Sequence, residues 1–187
     1  SVTELYIATF DRAPDAKGLE YWLKESGLSL EEIAESFFNQ DETKDKYPAE
    51  YSDEDFIIEV YNNLFDRDPD QAGFDYWLEE LKSGRATRDY FILMVVNGAQ
   101  GDDKQLLGNK TEVGLAFAHD GRNDAGEAYE IMQGVTADSS SVDKTLCEYD
   151  LSGCSNPEKP TPPAPPAPPA PPASTPDTIL PSDNPTR

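Results

Sequence analysis

Histidine is almost missing from this chain, cysteine nearly so, and basic residues are scarce: one His and two Cys stand among 187 residues, and 15 Lys and Arg face 37 Asp and Glu. Each shortage excludes something. Cys147, Cys154 and His119 cannot form a four-ligand zinc site without help from carboxylates. The excess of acid, net −22 with a pI near 4.1, repels nucleic acid and anionic lipid and favours solubility and attraction of cations. The segment from Asn156 contributes −1 of this, which leaves −21 on the first 155 residues. Surfaces of that kind suit salty or calcium-rich extracellular media, or are plain solvated faces. No apolar run is long enough to span a membrane. Signal-peptide, phosphate-loop, dinucleotide and Gly-x-Ser-x-Gly patterns are absent too, and strand signals are few. Ser1-Val2-Thr3 leads straight into an amphipathic pattern, which reads as a fragment cut from a longer protein.

What is present is a duplication. Residues 10–23 run Phe-Asp-Arg-Ala-Pro-Asp-Ala-Lys-Gly-Leu-Glu-Tyr-Trp-Leu, and residues 65–78 run Phe-Asp-Arg-Asp-Pro-Asp-Gln-Ala-Gly-Phe-Asp-Tyr-Trp-Leu. Nine positions agree at constant spacing, including both tryptophans of the chain. Agreement at that density is the signature of an internal repeat.

Apolar spacing on both sides of the repeated stretch is helical. A first helix is expected over Thr3–Phe10, with Leu5, Tyr6, Thr9 and Phe10 on one side. A second, started by Pro14-Asp15, carries Leu19, Trp22 and Leu23 inward and closes at Gly27. Ser29 and Glu32 form a capping box for a helix with Ile33, Ala34, Phe37 and Phe38 in its stripe. Residues 39–51 read as a polar connector. The second unit follows the same plan: Ser52 caps a helix striped with Phe56, Ile57, Val60, Tyr61, Leu64 and Phe65. The next helix carries Phe74, Trp77, Leu78 and Leu81 and ends at Gly84, two residues longer than its counterpart. Residues 88–96 are apolar on most sides, which predicts the most buried element of the chain. Residues 98–108 read as a loop. Helices are then expected around 111–119, 123–133 and 142–149, the last capped by Ser140 and Asp143. Four Pro-Pro-Ala triplets from Pro162 to Ala173 read as a polyproline II linker without a core.

The expected architecture is therefore all-α: repeat units over 1–50 and 51–100, a third helical region over 101–155, and a disordered polyproline tail over 156–187. The three helical regions form one bundle-like domain.

The repeated Asp-Arg-x-Pro-Asp-x-x-Gly loop is the best site candidate, and it has a sufficient structural reading. Asp15 and Asp70 cap helices, Pro fixes the turn, Gly18 and Gly73 let helix backbones approach, and Arg12 and Arg67 reach nearby carboxylates or the preceding helix's carbonyls. The functional reading is calcium. Asp66-x-Asp68-x-Asp70 has the oxygen spacing that opens a hand-type loop, but Gln71 stands where that loop wants Gly and Trp77 where it wants a bidentate Glu. In the first copy Ala13 interrupts Asp11 and Asp15. Any binding is expected to be weak, in the millimolar range, and calcium is the one cofactor the spacing points to. Trp22 and Trp77 read as core residues before sugar-stacking ones, with Tyr21 and Tyr76 at the edge. His119-Asp120 reads as a surface His rather than an acid–base pair, and Asn109-Lys110-Thr111 matches a glycosylation acceptor of a kind that arises often by chance. Cys147 and Cys154, which enclose six residues, read as a short-loop disulfide rather than free thiols, which implies an oxidising compartment.

With Tyr6 and Tyr61 opening the units and Trp22 and Trp77 closing them, the repeat resembles the bacterial domain-of-unknown-function family 4214, whose fold is similar to phycobilisome linker domains. The runs 109–118 and 134–138 resemble that family's C-terminal portion, so the likeness extends over residues 3–150. It implies a helical module of large secreted or surface-layer proteins and no known catalytic residues. The function expected is a non-catalytic extracellular module serving as spacer, adhesion or assembly domain. Its partners would be other domains of a longer chain or neighbouring surface subunits, without nucleic acid or membrane insertion. The alternative is an accessory domain that places a secreted hydrolase on its substrate.

Overall fold

Ser1 accepts the backbone N–H of Glu4 while the Glu4 side chain returns to the Ser1 amine, a capping box that starts α1 (Val2–Phe10). The computed structural model describes residues 1–155, all of them within one compact unit; the proline-rich segment lies outside the described residues. Ten α-helices and one π-turn follow one another, with no strand among the described residues.

Helix α1 is the centre of the fold. Seven of its nine residues are buried, and it packs against α3 (Leu30–Phe38), α4 (Asp41–Lys46), α5 (Asp53–Phe65), α7 (Arg88–Gly98) and α8 (Gly101–His119). The expectation that α7 is the most buried element, and α1 one-sided, is corrected: α7 buries five of its eleven residues. Threonines make this arrangement tolerable, since buried Thr9 donates its hydroxyl to the Leu5 carbonyl at 2.8 Å and leaves no orphan donor.

Two apolar clusters meet at α1. Leu5, Tyr6, Ala8 and Phe10 belong to the first, with residues of α3, α5 and α7 around Phe37, Phe56 and Phe91. Ile7 belongs to the second, with Val113 and Phe117 of α8, Ile131 and Met132 of α9 (Ala125–Gln133), and Val142 and Leu146 of α10 (Ser140–Glu148). Gly114 is where α8 reaches α1: a Cβ there would stand 3.0 Å from Ile7 Cδ1 and 3.1 Å from Pro14 Cδ.

The helices flanking the duplicated loops start where their caps predict. Asp15 opens α2 (Ala16–Glu20) and Asp70 opens α6 (Gln71–Lys82). After α2 the chain widens into a π-turn over Tyr21–Glu25, with Ser26 N–H bonded to the Tyr21 carbonyl at 2.9 Å. The wider turn rotates Leu23 out of the core, to 56 % exposed, against the inward position expected for it. Leu19 is buried and Trp22 half-buried.

Three further expectations change. The connector at 39–51 contains α4, whose Thr43 is buried and donates to the Phe37 carbonyl at 2.7 Å. The loop expected over 98–108 shrinks to Ala99 and Gln100, because α8 begins at Gly101 and buries Leu106 and Leu107. In α10 the cap is not made by Ser140 and Asp143: Asp138 accepts the Ser140 N–H at 2.9 Å. Cys147 and Cys154 are joined in a disulfide, Cα to Cα 4.8 Å, which closes the turn that buries Leu151 in the second cluster.

Candidate functional site

The two loops have one local geometry. Asp11 and Asp66 end α1 and α5 in the left-handed conformation, φ 52° and 55°, with their N–H groups on the carbonyls of Ile7 and Asn62 at 2.7 and 3.0 Å. Aspartate is among the few non-glycine residues that adopt it readily. Asp15 Oδ1 accepts the Gly18 N–H at 2.7 Å, and Asp70 Oδ1 accepts the Gly73 N–H at 2.8 Å. The cap also explains the first of the two glycines. A Cβ on Gly18 would fall 2.7 Å from Asp15 Oδ2, and one on Gly73 would meet Asp70 Oδ1 at 3.4 Å. Gly18 makes room for the capping carboxylate and Gly73 leaves a Cβ only ordinary contact with it; neither faces a second helix backbone, which corrects the expectation.

The arginines lie over aromatic rings and reach forward along the chain. Arg12 stands 5.1 Å from the Tyr6 ring centroid and 5.5 Å from that of Phe10, and donates through Nε and Nη2 to Glu42 at 2.7 and 3.0 Å. Arg67 covers Tyr61 and Phe65 at 5.7 and 6.0 Å and donates to Asp103 at 3.0 and 2.6 Å. Fork-shaped pairs of this kind fix direction as well as charge. Carboxylate partners were expected; the carbonyls they take are those of Ala13 and Asp68 in the loop itself, at 3.3 and 2.8 Å, not the preceding helix's. Glu42 and Asp103 both sit in the first turn of the third α-helix after their loop, α4 and α8. The same two helices supply a lysine to each left-handed aspartate: Lys46 Nζ lies 3.5 Å from Asp11, and Lys110 Nζ 3.4 Å from Asp66.

Surroundings then separate the copies. Ala13 has no exposed surface. Its N–H donates to the Ala128 carbonyl at 2.8 Å, and that of Ala16 to the Arg122 carbonyl at 3.0 Å, so α9 and the turn before it cover the first loop. Asp68 takes the place of Ala13 in the second loop. It is exposed, and Oδ1 accepts from Asn62 Nδ2 at 2.9 Å. The charges divide in the same way. Asp11 is 8 % exposed while its lysine is reached by solvent; Asp66 is exposed while Lys110 is only 2 % exposed. Burial raises the Asp11 carboxyl above its ordinary pKa, against the pull of Lys46 and Lys110.

Of the residues expected to bind calcium, Asp66 meets Lys110, Asp68 meets Asn62, and Asp70 caps α6. Asp11 meets Lys46, and Asp15 caps α2. The loops bring these carboxylates near one another in sequence but aim them at different partners. Among the described residues no three His, Cys, Asp or Glu side chains converge as a metal would need.

The tryptophans differ as well. Trp77 is 9 % exposed, edge-on to Phe91, and its indole N–H donates to the Tyr61 hydroxyl at 3.0 Å. Trp22 is edge-on to Phe37, and the equivalent Tyr6 hydroxyl donates instead to Asp15 Oδ2 at 3.0 Å. Burial raises the Tyr6 pKa; Arg12 opposes the rise and the Asp15 carboxylate adds to it, so the phenol remains a donor. The indole N–H of Trp22 has no acceptor among the described residues. Cavities of about 330 Å³ beside Trp22 and about 190 Å³ beside Trp77 have matching walls of Tyr, Phe, Arg, Asp and Trp. Tyr21 and Tyr76 are exposed at the edges, as expected.

Two lesser candidates resolve plainly. His119 is an exposed helix terminus, and Asp120 accepts the Ser152 N–H at 2.7 Å. Asn109 lies inside α8, buried, its amide donating to the Thr136 carbonyl at 2.7 Å; it is a packing residue, not a surface acceptor for glycan. Sequence reasoning missed Glu42, Lys46, Asp103 and Lys110, since nothing in their local pattern names a partner 30 or more residues away.

The model of a domain-of-unknown-function family, DUF4214, matches residues 34–99, from α3 through the second loop to α7. The first loop lies outside the matched stretch. No curated protein and no solved structure matches the chain.

Proposed function

We propose, for a chain whose residues 34–99 belong to the DUF4214 family, that it works as a non-catalytic helical module: a spacer, adhesion or assembly domain of a larger bacterial secreted or surface-layer protein. One observation carries the reading. The charged groups of the duplicated loop, which are its best candidates for chemistry, are each engaged: in a cap, in a tie to a following helix or, for Asp68, in a bond from Asn62 of the preceding one. A group so held positions backbone; it is not poised for proton transfer, which needs a partner within reach of a reacting atom. The disulfide and the −21 on the first 155 residues are compatible with an extracellular setting, since a pair of this kind persists where thiols are oxidised.

The test is location and thiol state together. Cells producing the full-length protein are fractionated, free thiols are alkylated before reduction, and peptides containing Cys147 and Cys154 are read by mass spectrometry. Recovery in the surface or medium fraction with both cysteines protected is expected. Recovery in the cytoplasm with both alkylated contradicts the reading.

A further inference from the structure

The two loop cavities share five residue types at matching places, and they differ in size. In the second copy α6 runs as a regular helix, Trp77 gives its N–H to Tyr61, and about 190 Å³ remains. In the first copy the shorter segment ends in a π-turn, Tyr6 turns to Asp15, and the cavity grows to about 330 Å³. Ligand sites begin at about 300 Å³, and π-turns inside helices recur at functional positions. The enlarged cavity has an aromatic wall of Tyr6, Phe10 and Trp22 and a rim with Asp41 and Glu42.

We propose that the cavity at Trp22 binds a neutral pyranose, with the indole N–H donating to a ring hydroxyl and the carboxylates of Asp41 and Glu42 accepting from its neighbours. The chemistry selects this class. An ammonium or guanidinium could meet the carboxylates and the rings, but has no lone pair for the indole N–H. A carboxylate or phosphate could accept from it, but would face Asp41 and Glu42. A hydroxyl both donates and accepts, and adjacent hydroxyls on a ring with an apolar face satisfy the rim and the wall at once. Glu42 keeps a second lone pair on each oxygen beyond its bonds to Arg12, and Asp41 is fully exposed, with Lys44 Nζ no nearer than 4.0 Å to its Oδ1. The site does not depend on the assembly role: its failure leaves that role standing, and its success favours the alternative in which the domain holds a hydrolase on polysaccharide.

With two tryptophans in the chain, nitrogen–proton spectra show two indole N–H signals, and Trp22→Phe identifies which is which. The full chain is titrated with methyl β-D-glucopyranoside, with tetrahydropyran as the ring without hydroxyls, and with tetramethylammonium chloride as a cation. The glycoside should shift the Trp22 signal saturably, with half-saturation in the millimolar range usual for a single small contact set, and leave Trp77 in place; the two controls should move neither. In Trp22→Phe, which keeps a ring but loses the donor, binding read by saturation transfer to the glycoside should weaken about fivefold to tenfold. Four results overturn the proposal: a still Trp22 signal, both signals drifting without saturation, a shift produced by tetramethylammonium or tetrahydropyran, or unchanged glycoside binding in Trp22→Phe.

Discussion

The loops at residues 11–15 and 66–70 share sequence, left-handed aspartate, capping carboxylate and stacked arginine, yet one is covered and the other faces water. The conformation therefore belongs to the motif itself, and the setting belongs to what packs on it. One residue marks the difference. Ala13 is small and apolar and lies under α9 with its N–H bonded to Ala128; Asp68, in the same place, is exposed and held by Asn62. The charge pairs have also exchanged roles, with the aspartate buried in the first loop and the lysine in the second.

Exchanging the marker residues breaks the comparison most sharply. Ala13→Asp sets a carboxylate into a dry apolar cluster and should cost about 3 kcal/mol or more, whereas Asp68→Ala should stay within about 0.5–1 kcal/mol, as an exposed change does. Urea unfolding of both variants at matched slope reads the contrast, and equal costs would mean the two loops are equally exposed. The tryptophans come next. Trp77→Ala removes a buried ring and should cost about 3–5 kcal/mol; Trp22→Ala, at a half-buried site with no indole hydrogen bond, should cost roughly half that or less. A reversed order in thermal midpoint would mean that Trp22 is the more deeply packed of the two rings.

Smaller effects follow from the aspartates. The raised folded-state pKa of Asp11 means that its contribution to stability is complete below the unfolded value near 3.9 and is lost as pH rises through the folded one. Asp11→Asn keeps a side chain that tolerates the left-handed conformation, so it should gain on the wild type between pH 4 and pH 7, by about 1 kcal/mol or less. Asp66→Asn at pH 7 should go the other way, since it strips a buried lysine of its partner. Thermal melts at the two pH values check both signs. Calcium should do least. With Asp66, Asp68 and Asp70 held by three different partners, about 1 mM calcium should raise the midpoint no more than the same concentration of magnesium. A calcium-specific rise abolished by Asp68→Asn would restore a metal site at this loop.

Much of this was legible in the residues. Caps at Ser29, Ser52, Asp15 and Asp70, the aromatic stripes, and the glycine stops at Gly27 and Gly84 are local, and local patterns fix helix starts and ends. The misses share a physical cause. Helix α4 and the first half of α8 are short of apolar periodicity, and α8 contains Gly101 and Gly108, so propensity argued for loops. What makes them helices is tertiary: their first turns carry the carboxylates that Arg12 and Arg67 reach, across 30 and 36 residues. The same element, the third α-helix after the loop, was overlooked twice for the same reason. Lys110 is the extreme case, a buried lysine paired with Asp66 on a helix that packs against α1 and α5, with no feature of its own sequence neighbourhood to announce it. The π-turn at Tyr21 was equally invisible; the two-residue difference in length between the copies was its one trace.

Amide hydrogen exchange at four matched positions tests most directly the claim that one motif serves in two settings. The amides of Ala13 and Ala16 donate to the carbonyls of Ala128 and Arg122, and should be protected to nearly the level of global unfolding. Those of Asp68 and Gln71, their counterparts, find no acceptor among the described residues and should exchange almost as fast as in an unfolded chain. Equal protection at the two loops would contradict the account, since it would mean that the second is covered as the first is.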